Sequence, residues 1–276
     1  IITAAAAVEK GGLDSDSTLT FNGRKHTLYK SQLKEKINKY TNRISLRDSF
    51  AQSVNPVFGK LGALRLGKQI LDTYAQAFGF NRSIIFELPL VPSSFEIEDE
   101  PYQWAEVASG FNQDTTISPI HGALIAAAVI NDGQMYEPAI VDRIIDETGQ
   151  ERYQNQPQMI DQAVSPSTSH IIRDLMETTV RSGTARKQFR RTDRDKVLSG
   201  LTFGGKTGSI NNRGNTARYD WFVGYAAQKE GHQQLAICVM VAHEEYIGTR
   251  ATAYARMAFK KYFGSLPQNS TVAASQ

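Results

Sequence analysis

The sequence predicts an α+β fold in which helices cover one antiparallel sheet and a mostly helical lobe precedes that sheet. Near the end of the chain, three strand patterns follow one another over 201–209, 220–228 and 233–242, and a turn at Glu230-Gly231 joins the last two. Strands joined by so short a turn pair antiparallel. Earlier in the chain, apolar residues recur at helical spacing, which predicts the helical lobe. With 276 residues, the chain can form one sizeable core or a core with a lobe.

Composition and charge exclude several classes of protein. A formal net charge of +3, with both signs interspersed, argues against nucleic acid as a partner. The basic cluster from Arg186 to Lys196 is interrupted by Asp193 and Asp195, so a solvated loop is favoured there over a phosphate-binding patch. No apolar run approaches the length that spans a bilayer.

Neither a metal nor another cofactor is predicted. The five histidines show no metal-ligand spacing, and position 247 after His243-Glu244 is isoleucine, so the zinc-protease pattern is absent. The one cysteine, Cys238, lies inside the apolar run 235–241. This placement indicates a core residue rather than a disulfide partner or a nucleophile.

The first two predicted elements are a helix and a short strand. The alanine-rich run 1–8 predicts a helix that packs tightly on all sides and ends at Gly11-Gly12. A strand is predicted over 18–21, closed by Asn22-Gly23. A polar, lysine-rich loop then reaches Asn42.

Helices joined by a broken turn come next. The stretch Ser45-Leu-Arg-Asp48 has the form of a capping box and begins the first helix. This helix runs to about Ser53 and ends there, because the residue before Pro56 is pushed out of helical geometry. A second helix begins at Pro56 and ends at Gly67, and a third is predicted over 68–80.

The rest of the chain alternates connections with helices and strands. Residues 81–103 form an irregular acidic connection, in which a solvated loop is favoured over a general base. Later elements are, in chain order, a helix from Ser118 to Ile130, a hairpin arm made by 139–145 and a Thr148-Gly149 turn, a helix from Ser165 to Ser182-Gly183, and a final helix over 251–263.

The predicted strand 201–209 carries the residues that point to chemistry. Lys206 occupies a position where the strand pattern calls for an apolar residue. The backbone beside it is left bare by three glycines, Gly204, Gly205 and Gly208. A ligand's own main chain can lie against such a strand edge, and the lysine offers a fixed positive charge to a carboxylate. Taken alone, Lys206-Thr207-Gly208 is weak evidence, because a lysine at a strand end is commonly a solvated edge charge.

A second polar pair, Ser53 and Asn55, sits on the tight turn between two predicted helices. Each is common on its own, since serine often ends a helix and asparagine often occupies a turn. A cleft between a helical lobe and a sheet edge is where such groups converge on one substrate. Together with Lys206-Thr207-Gly208, the pair therefore predicts a functional cleft.

This combination resembles a known family of enzymes. Ser53-Val54-Asn55 and Lys206-Thr207-Gly208-Ser209, followed by Tyr219 to Tyr225 on the next strand, are similar to the S-x-N and K-T-G motifs of the penicillin-binding transpeptidases. Two more segments, Gly110 to Gly133 and Val180 to Ala185, also resemble that family. The likeness extends over almost the whole chain and implies the penicillin-binding/β-lactamase-like fold.

The resemblance also implies where the domain ends and where the family's remaining motif lies. The transpeptidase domain is expected over residues 1–264 and a polar C-terminal tail over 265–276. The family's third motif, S-x-x-K, opens a buried helix that leads into a run like Ile1 to Glu9. The nucleophilic serine and its lysine base are therefore expected just upstream of Ile1, so that this fragment alone lacks the attacking group and is inactive.

The resemblance assigns roles to the residues that match the motifs. Ser53 hands a proton to the leaving amine, Asn55 holds the amide of the acyl donor, and Lys206 lowers the pKa of the expected lysine base. Substrate binding is assigned to Thr207, Gly208 and Ser209. The two hydroxyls bind the terminal carboxylate of the donor, and the backbone N–H of Ser209 contributes to the oxyanion hole.

The substrates implied by the resemblance are peptidoglycan stem peptides. The donor ends in D-Ala-D-Ala, the acceptor is an amine of a neighbouring stem, and β-lactams acylate the same serine. The family works on the periplasmic face of the inner membrane, held by an upstream anchor, with other cell-wall synthesis proteins as possible partners. Two alternatives stay open, a β-lactamase or D,D-carboxypeptidase, and a non-catalytic module that binds β-lactams or muropeptides.

Overall fold

The computed structural model describes residues 1–266, so the predicted tail lies, from residue 267 onward, outside the described residues. The α-helices are α1 (Ile2–Glu9), α2 (Leu46–Ala51), α3 (Asn55–Lys60), α4 (Gly67–Ala77), α5 (Pro101–Ser109), α6 (Pro119–Ile130), α7 (Pro166–Arg181), α8 (Arg186–Phe189) and α9 (Ala251–Ser265). The strands are β1 (Thr18–Phe21), β2 (Asn42–Ser45), β3 (Gln134–Tyr136), β4 (Arg143–Ile145), β5 (Glu151–Gln154), β6 (Met159–Gln162), β7 (Leu201–Asn211), β8 (Arg218–Gln228) and β9 (Gln234–His243). None of the described helices is both long and apolar enough to cross a membrane.

A three-stranded antiparallel sheet with the order β7-β8-β9 confirms the predicted sheet. Because β7 is an edge strand, one side of its backbone is not paired within the sheet. Helices α6 and α7 pack on one face of the sheet, and α9 packs on the other. The K-T-G segment therefore lies on an open edge between two layers of helices.

The sheet separates two apolar cores. The larger core contains the helical lobe, the alanines of α1 and Tyr225 of β8. The smaller core lies under α9 and contains Phe222 of β8 with Phe203 and Phe259. Alternate side chains of one strand thus serve both cores, as expected for a sheet that is covered on both faces.

The local helix signals in the sequence are confirmed. Ala4 to Ala7 of α1 are completely buried, which fits the prediction of a helix packed on all sides. The side chains of Ser45, Ser118 and Ser165 each accept a hydrogen bond from the backbone N–H three residues later, and so cap α2, α6 and α7.

Several boundaries differ from the prediction. Helix α2 ends at Ala51 rather than near Ser53, and Gly67 begins α4 instead of ending the preceding helix. Between them, Leu61–Leu66 forms a π-helical segment, so the chain continues helically through the predicted stop. The predicted hairpin arm with its turn at Thr148-Gly149 is confirmed by the pairing of β4 with β5, although its first strand begins at Arg143 rather than at residue 139.

Some elements were not predicted. Strand β2 lies at the end of the lysine-rich loop and pairs with β1, and β3 pairs with β6. Helix α5 begins inside the predicted irregular connection 81–103, where Glu100 caps it and Pro101 occupies its first turn. The prediction of a solvated loop over 186–196 is wrong at α8, because Phe189 is buried against the rings of Phe203 and Phe222.

The bare backbone at Gly204 and Gly205 serves packing rather than a ligand. A Cβ atom at Gly204 would lie 2.4 Å from the ring of Tyr225, and one at Gly205 would lie 2.3 Å from the ring of Phe222. The two glycines thus make room for large rings on β8, one on each face of the sheet. A ligand can reach β7 along its free edge, not through these glycines.

We expect Gly205→Ala to destabilise the protein and Gly208→Ala to leave its stability almost unchanged. The new methyl group at Gly205 overlaps Phe222, whereas at Gly208 the nearest atom lies 3.4 Å away, an ordinary contact distance. The expected loss for Gly205→Ala is about 1–3 kcal/mol in the free energy of unfolding. Urea unfolding of both variants tests this, and equal stabilities would contradict the packing explanation.

Candidate active site

The turn between α2 and α3 is held in an unusual backbone conformation. Ser53 has a φ of 53°, in the left-handed region that non-glycine residues rarely adopt and that costs roughly 1 kcal/mol or more. The backbone N–H of Val54 donates to the carbonyl of Ser49, and the N–H of Asn55 donates to the carbonyl of Lys25 at 2.7 Å. The turn is therefore fixed from both sides, with the Ser53 side chain directed at β7.

Lys206 and Ser53 meet across the cleft as the sequence predicts. The Lys206 Nζ donates to the Ser53 Oγ at 2.5 Å and to the Thr207 carbonyl at 2.9 Å. The ammonium group also lies 5.6 Å from the centre of the Phe50 ring. Although Lys206 keeps some exposed surface, its charged end is enclosed, and this burial lowers its pKa to about 8.

The first residue of the chain reaches the same place. Ile1 is partly buried against the larger core, and its backbone nitrogen lies close to the charge of Lys206. The start of α1 therefore lies beside Lys206, with the buried alanines of α1 leading away into the larger core.

The turn that follows α7 contacts both the end of α2 and strand β7. The backbone N–H of Thr184 donates to the carbonyl of Ala51 at the end of α2, and the Thr184 hydroxyl lies 2.6 Å from that of Thr207. A Cβ atom at Gly183 would lie 2.3 Å from the Ala51 carbonyl oxygen, so only glycine fits there. This is the Val180 to Ala185 segment of the sequence, and the structure places it in the wall of the cleft.

Ser209 is held by a buried carboxylate that the sequence analysis did not identify. The Ser209 hydroxyl donates to the Oδ1 of Asp220 at 3.2 Å. Asp220, which is 3% exposed, also accepts hydrogen bonds from the guanidinium group of Arg250 and from the N–H of Ala251. Burial alone would raise the pKa of Asp220, but these donors outweigh it and hold the pKa below its usual value. The signal in the sequence was an aspartate inside an otherwise apolar strand.

The remaining predicted residues lie around this centre. Because side chains alternate along a strand, Thr207 and Ser209 face away from Lys206, and Gly208 shares its face. Asn55 is half-buried in the first turn of α3, and the structure shows its backbone N–H, not its side chain, in a hydrogen bond. The structure thus joins Ser53 to Lys206 directly and places the other residues on the adjoining turn and strand.

Two residues of the lysine-rich loop also contact the turn. Lys25 Nζ donates to the side-chain oxygen of Gln52 at 2.5 Å, and a ring nitrogen of His26 lies 3.0 Å from the Ser53 carbonyl oxygen. No pattern in the sequence marks either residue, because both stand in a polar stretch without periodicity. Their role in supporting the turn emerges only from the folded structure.

The S-x-x-K spacing occurs once in the sequence, from Ser31 to Lys34, and it lies away from this centre. Both residues are exposed at a short 3-10 turn, where a serine and a lysine have no buried environment to activate them. The part of the chain that the structure describes contains no cluster of three histidine, cysteine or acidic residues that could hold a metal ion.

Comparison with known proteins shows the family to which the chain belongs. The sequence model for the penicillin-binding protein transpeptidase domain matches residues 1–262. The chain belongs to the penicillin-binding protein transpeptidase family. Stage V sporulation protein D of Bacillus subtilis is 32% identical over 159 residues, covering 57% of this chain and 23% of that protein. The peptidoglycan D,D-transpeptidase PbpA of Mycolicibacterium smegmatis is 27% identical, covering 72% of this chain and 38% of that protein.

Solved structures share the fold. The D,D-transpeptidase domain of a peptidoglycan glycosyltransferase from Eggerthella lenta has a TM-score of 0.74 at 24% identity, covering 95% of this chain and 63% of that one. Penicillin-binding protein A of Mycobacterium tuberculosis, as a ceftriaxone acyl-enzyme complex, has a TM-score of 0.74 at 22% identity, covering 96% and 59%. The predicted penicillin-binding fold is confirmed, and the chain spans less than two thirds of each of these relatives.

We expect Lys206→Met to be more stable than the wild type at pH 7. The pKa of Lys206 is about 8 in the folded protein and near 10.5 when unfolded, so unfolding takes up a proton between these values. The charged form penalises the folded state below pH 8, and this penalty disappears as the pH approaches 10.5. After allowing for the lost hydrogen bond to Ser53, we expect the free energy of unfolding of Lys206→Met to exceed that of the wild type by about 2 kcal/mol at pH 7.

Urea unfolding of Lys206→Met at pH 7 and pH 10 measures this difference, with the exposed Lys261→Met as the control. The advantage of Lys206→Met over the wild type shrinks at the higher pH, whereas the control stays close to the wild type at both. A constant difference would show that the lysine is not desolvated in the folded protein.

Proposed function

We propose that this chain is the acyl-transfer domain of a peptidoglycan D,D-transpeptidase, acting through a serine acyl-enzyme. The observation that carries the proposal is the hydrogen bond from Lys206 to Ser53 at the open edge of β7. An enclosed ammonium group beside a hydroxyl and a free strand edge can bind a peptide and move a proton at once. Family membership of residues 1–262 supports the same activity.

The chemistry follows from the positions of the groups. An extended donor peptide adds to the free edge of β7, and its terminal carboxylate is bound near the hydroxyl of the half-buried Thr207. The backbone N–H of Ser209 is proposed as one donor of the oxyanion hole, worth about 3 kcal/mol in the transition state. Because the lowered pKa of Lys206 lies close to neutrality, a proton can pass between Lys206 and the leaving amine through the Ser53 hydroxyl.

The substrate-side roles of the other motif residues are part of the proposal. Asn55 holds the amide of the donor from the adjoining turn, and Gly208 leaves space beside the bound strand. Ser209 contributes its backbone, since its hydroxyl proton is already donated to Asp220. The carboxylate of the donor therefore depends on Thr207 and on the charge of Lys206 more than on the Ser209 side chain.

The attacking serine and its lysine base are proposed to come from the segment that leads into α1. Two observations support this position: α1 begins close to Lys206, and the one S-x-x-K spacing in the sequence is exposed elsewhere. A lysine base in that segment would have its pKa lowered by the nearby positive charge of Lys206.

Substrates and location follow from the chemistry and from the relatives. The donor is a stem peptide ending in D-Ala-D-Ala, the acceptor is an amine of a neighbouring stem, and β-lactams mimic the donor. The β-lactam acyl-enzyme complexes of M. tuberculosis penicillin-binding protein A support this last point. We place the site outside the cytoplasmic membrane, where peptidoglycan lies, with an upstream anchor and other cell-wall synthesis proteins as further proposals.

We expect the full-length protein to be acylated by a fluorescent penicillin, and Ser53→Ala and Lys206→Ala to be acylated roughly 100-fold more slowly or worse. Each variant removes one partner of the bond across the cleft. Ser31→Ala, which alters the exposed S-x-x-K spacing, is the matched control and stays within about twofold of the wild type. Unchanged labelling of the Ser53 and Lys206 variants would discard the site assignment.

Analysis of the products formed by the wild-type protein distinguishes a transpeptidase from the alternative functions. Incubation with a donor stem peptide and an acceptor amine gives a cross-linked product if the enzyme is a transpeptidase. Release of the free acid alone indicates a carboxypeptidase or β-lactamase activity. Binding of penicillin without any covalent adduct indicates a non-catalytic module.

A further inference from the structure

A cationic loop adjoins the turn between α2 and α3, residues 52–55, which carries Ser53 and is called the catalytic turn below. Between residues 24 and 39 the sequence has six lysines and arginines and one acidic residue, so this segment alone carries more net positive charge than the whole chain at +3. All six side chains are exposed, namely Arg24, Lys25, Lys30, Lys34, Lys36 and Lys39. A concentration of one sign on a single loop indicates an anionic partner.

The cationic loop is folded around one buried amide. Gln32 is 5% exposed, and its side chain accepts hydrogen bonds from the Thr27 hydroxyl and the Tyr29 N–H and donates to the carbonyls of Asn22 and Arg24. The Asn22 side chain in turn donates to the carbonyl of Lys36. These bonds hold both ends of the cationic loop in place, so its charges have fixed positions rather than those of a random coil.

The cationic loop is tied to the back of the catalytic turn. Lys25 contacts Gln52 through its side chain and Asn55 through its carbonyl, and His26 lies against the Ser53 carbonyl. Lys206 approaches Ser53 from the other direction, through the hydroxyl. The cationic loop therefore contacts the backbone of the turn, whereas Lys206 of β7 contacts the Ser53 hydroxyl.

A cavity of about 560 Å³ opens in this loop. Its lining includes the cations Arg24, Lys34 and Lys36 with the polar side chains of Tyr29 and Asn38, and it includes no aspartate or glutamate. Within residues 1–266, none of these three cations forms a salt bridge. A volume in the range of peptide and small-molecule sites, lined by unpaired cations, suits a ligand with carboxylates.

We propose that this cavity is a subsite for the acceptor stem peptide, bound through its free carboxylates. The inference rests on the proposed transpeptidase function, because it takes the acceptor from that reaction. Stem peptides carry free carboxylates, and the acceptor must approach the acyl-enzyme from the side that the donor leaves open. The cationic loop adjoins the turn that carries Ser53, and Arg24 in the cavity is one residue from Lys25, whose carbonyl accepts a hydrogen bond from the Asn55 N–H.

The test measures cross-linking by the full-length protein at a fixed donor concentration and varied acceptor concentration. The triple variant Arg24→Glu, Lys34→Glu, Lys36→Glu is expected to raise the KM for a synthetic acceptor stem peptide by roughly tenfold or more, with a smaller change in kcat. Acylation by fluorescent penicillin, which has no acceptor, is expected to stay within about twofold. Raising the ionic strength is expected to raise the KM of the wild type toward that of the variant, because salt screens the charges of the cavity.

A matched control carries the same change of charge elsewhere. Lys10→Glu, Lys68→Glu, Lys261→Glu alters three exposed cations outside the cavity, and we expect it to keep the wild-type KM. Amidation of the acceptor carboxylates should remove the difference between wild type and cavity variant. If the cavity variant proves unstable in thermal unfolding, the neutral pair Arg24→Gln, Lys36→Gln is measured instead, with a KM increase of about threefold expected.

The outcomes separate this inference from the proposed function. A wild-type protein that is not acylated by penicillin overturns the proposed function itself. A wild-type protein that cross-links, together with a cavity variant whose KM is unchanged, overturns only the acceptor subsite. Equal use of free and amidated acceptors by the wild type also overturns it, because carboxylate recognition is then absent.

Discussion

The structure of the site depends on one buried cation. The ammonium of Lys206 is stable in its enclosed position only because Ser53 and the Thr207 carbonyl accept its hydrogen bonds and the Phe50 ring lies close by. The uncommon backbone of Ser53 persists because α2, α3 and the cationic loop hold the turn that presents its hydroxyl. The hydrogen bond between Lys206 and Ser53 thus joins a desolvated cation to a residue with a strained backbone. Both features are typical of functional sites.

The edge position of β7 explains how one strand serves several purposes. Its alternating side chains direct Lys206 toward the larger core and Thr207 and Ser209 toward the other face. Its glycines accommodate two large rings of β8, while its free edge remains available to a peptide. Asp220 of β8 joins Ser209 of β7 to Arg250 and the start of α9, so the smaller core also supports the site.

The sequence predicts well those elements whose signals are local and strong. Serine caps, proline at the first helical turn and the all-alanine face of α1 identify α1, α2, α6 and α7, and long apolar runs identify the sheet. It fails for β2, β3 and β6, which are short, largely polar strands whose stability comes from pairing with distant partners. It also fails for α8, where the buried ring of Phe189 outweighs the charges around it.

By itself, the sequence determined the fold class, the order of the main elements and the residue types that meet at the cleft, because caps, periodicity and short motifs act over a few residues. Only the tertiary structure decided that Asp220 binds Ser209, that Lys25 and His26 support the turn of Ser53, and that three cations surround one cavity. These contacts join residues far apart in the chain. Their energies depend on burial and distance, and both are set only when the separate elements pack together.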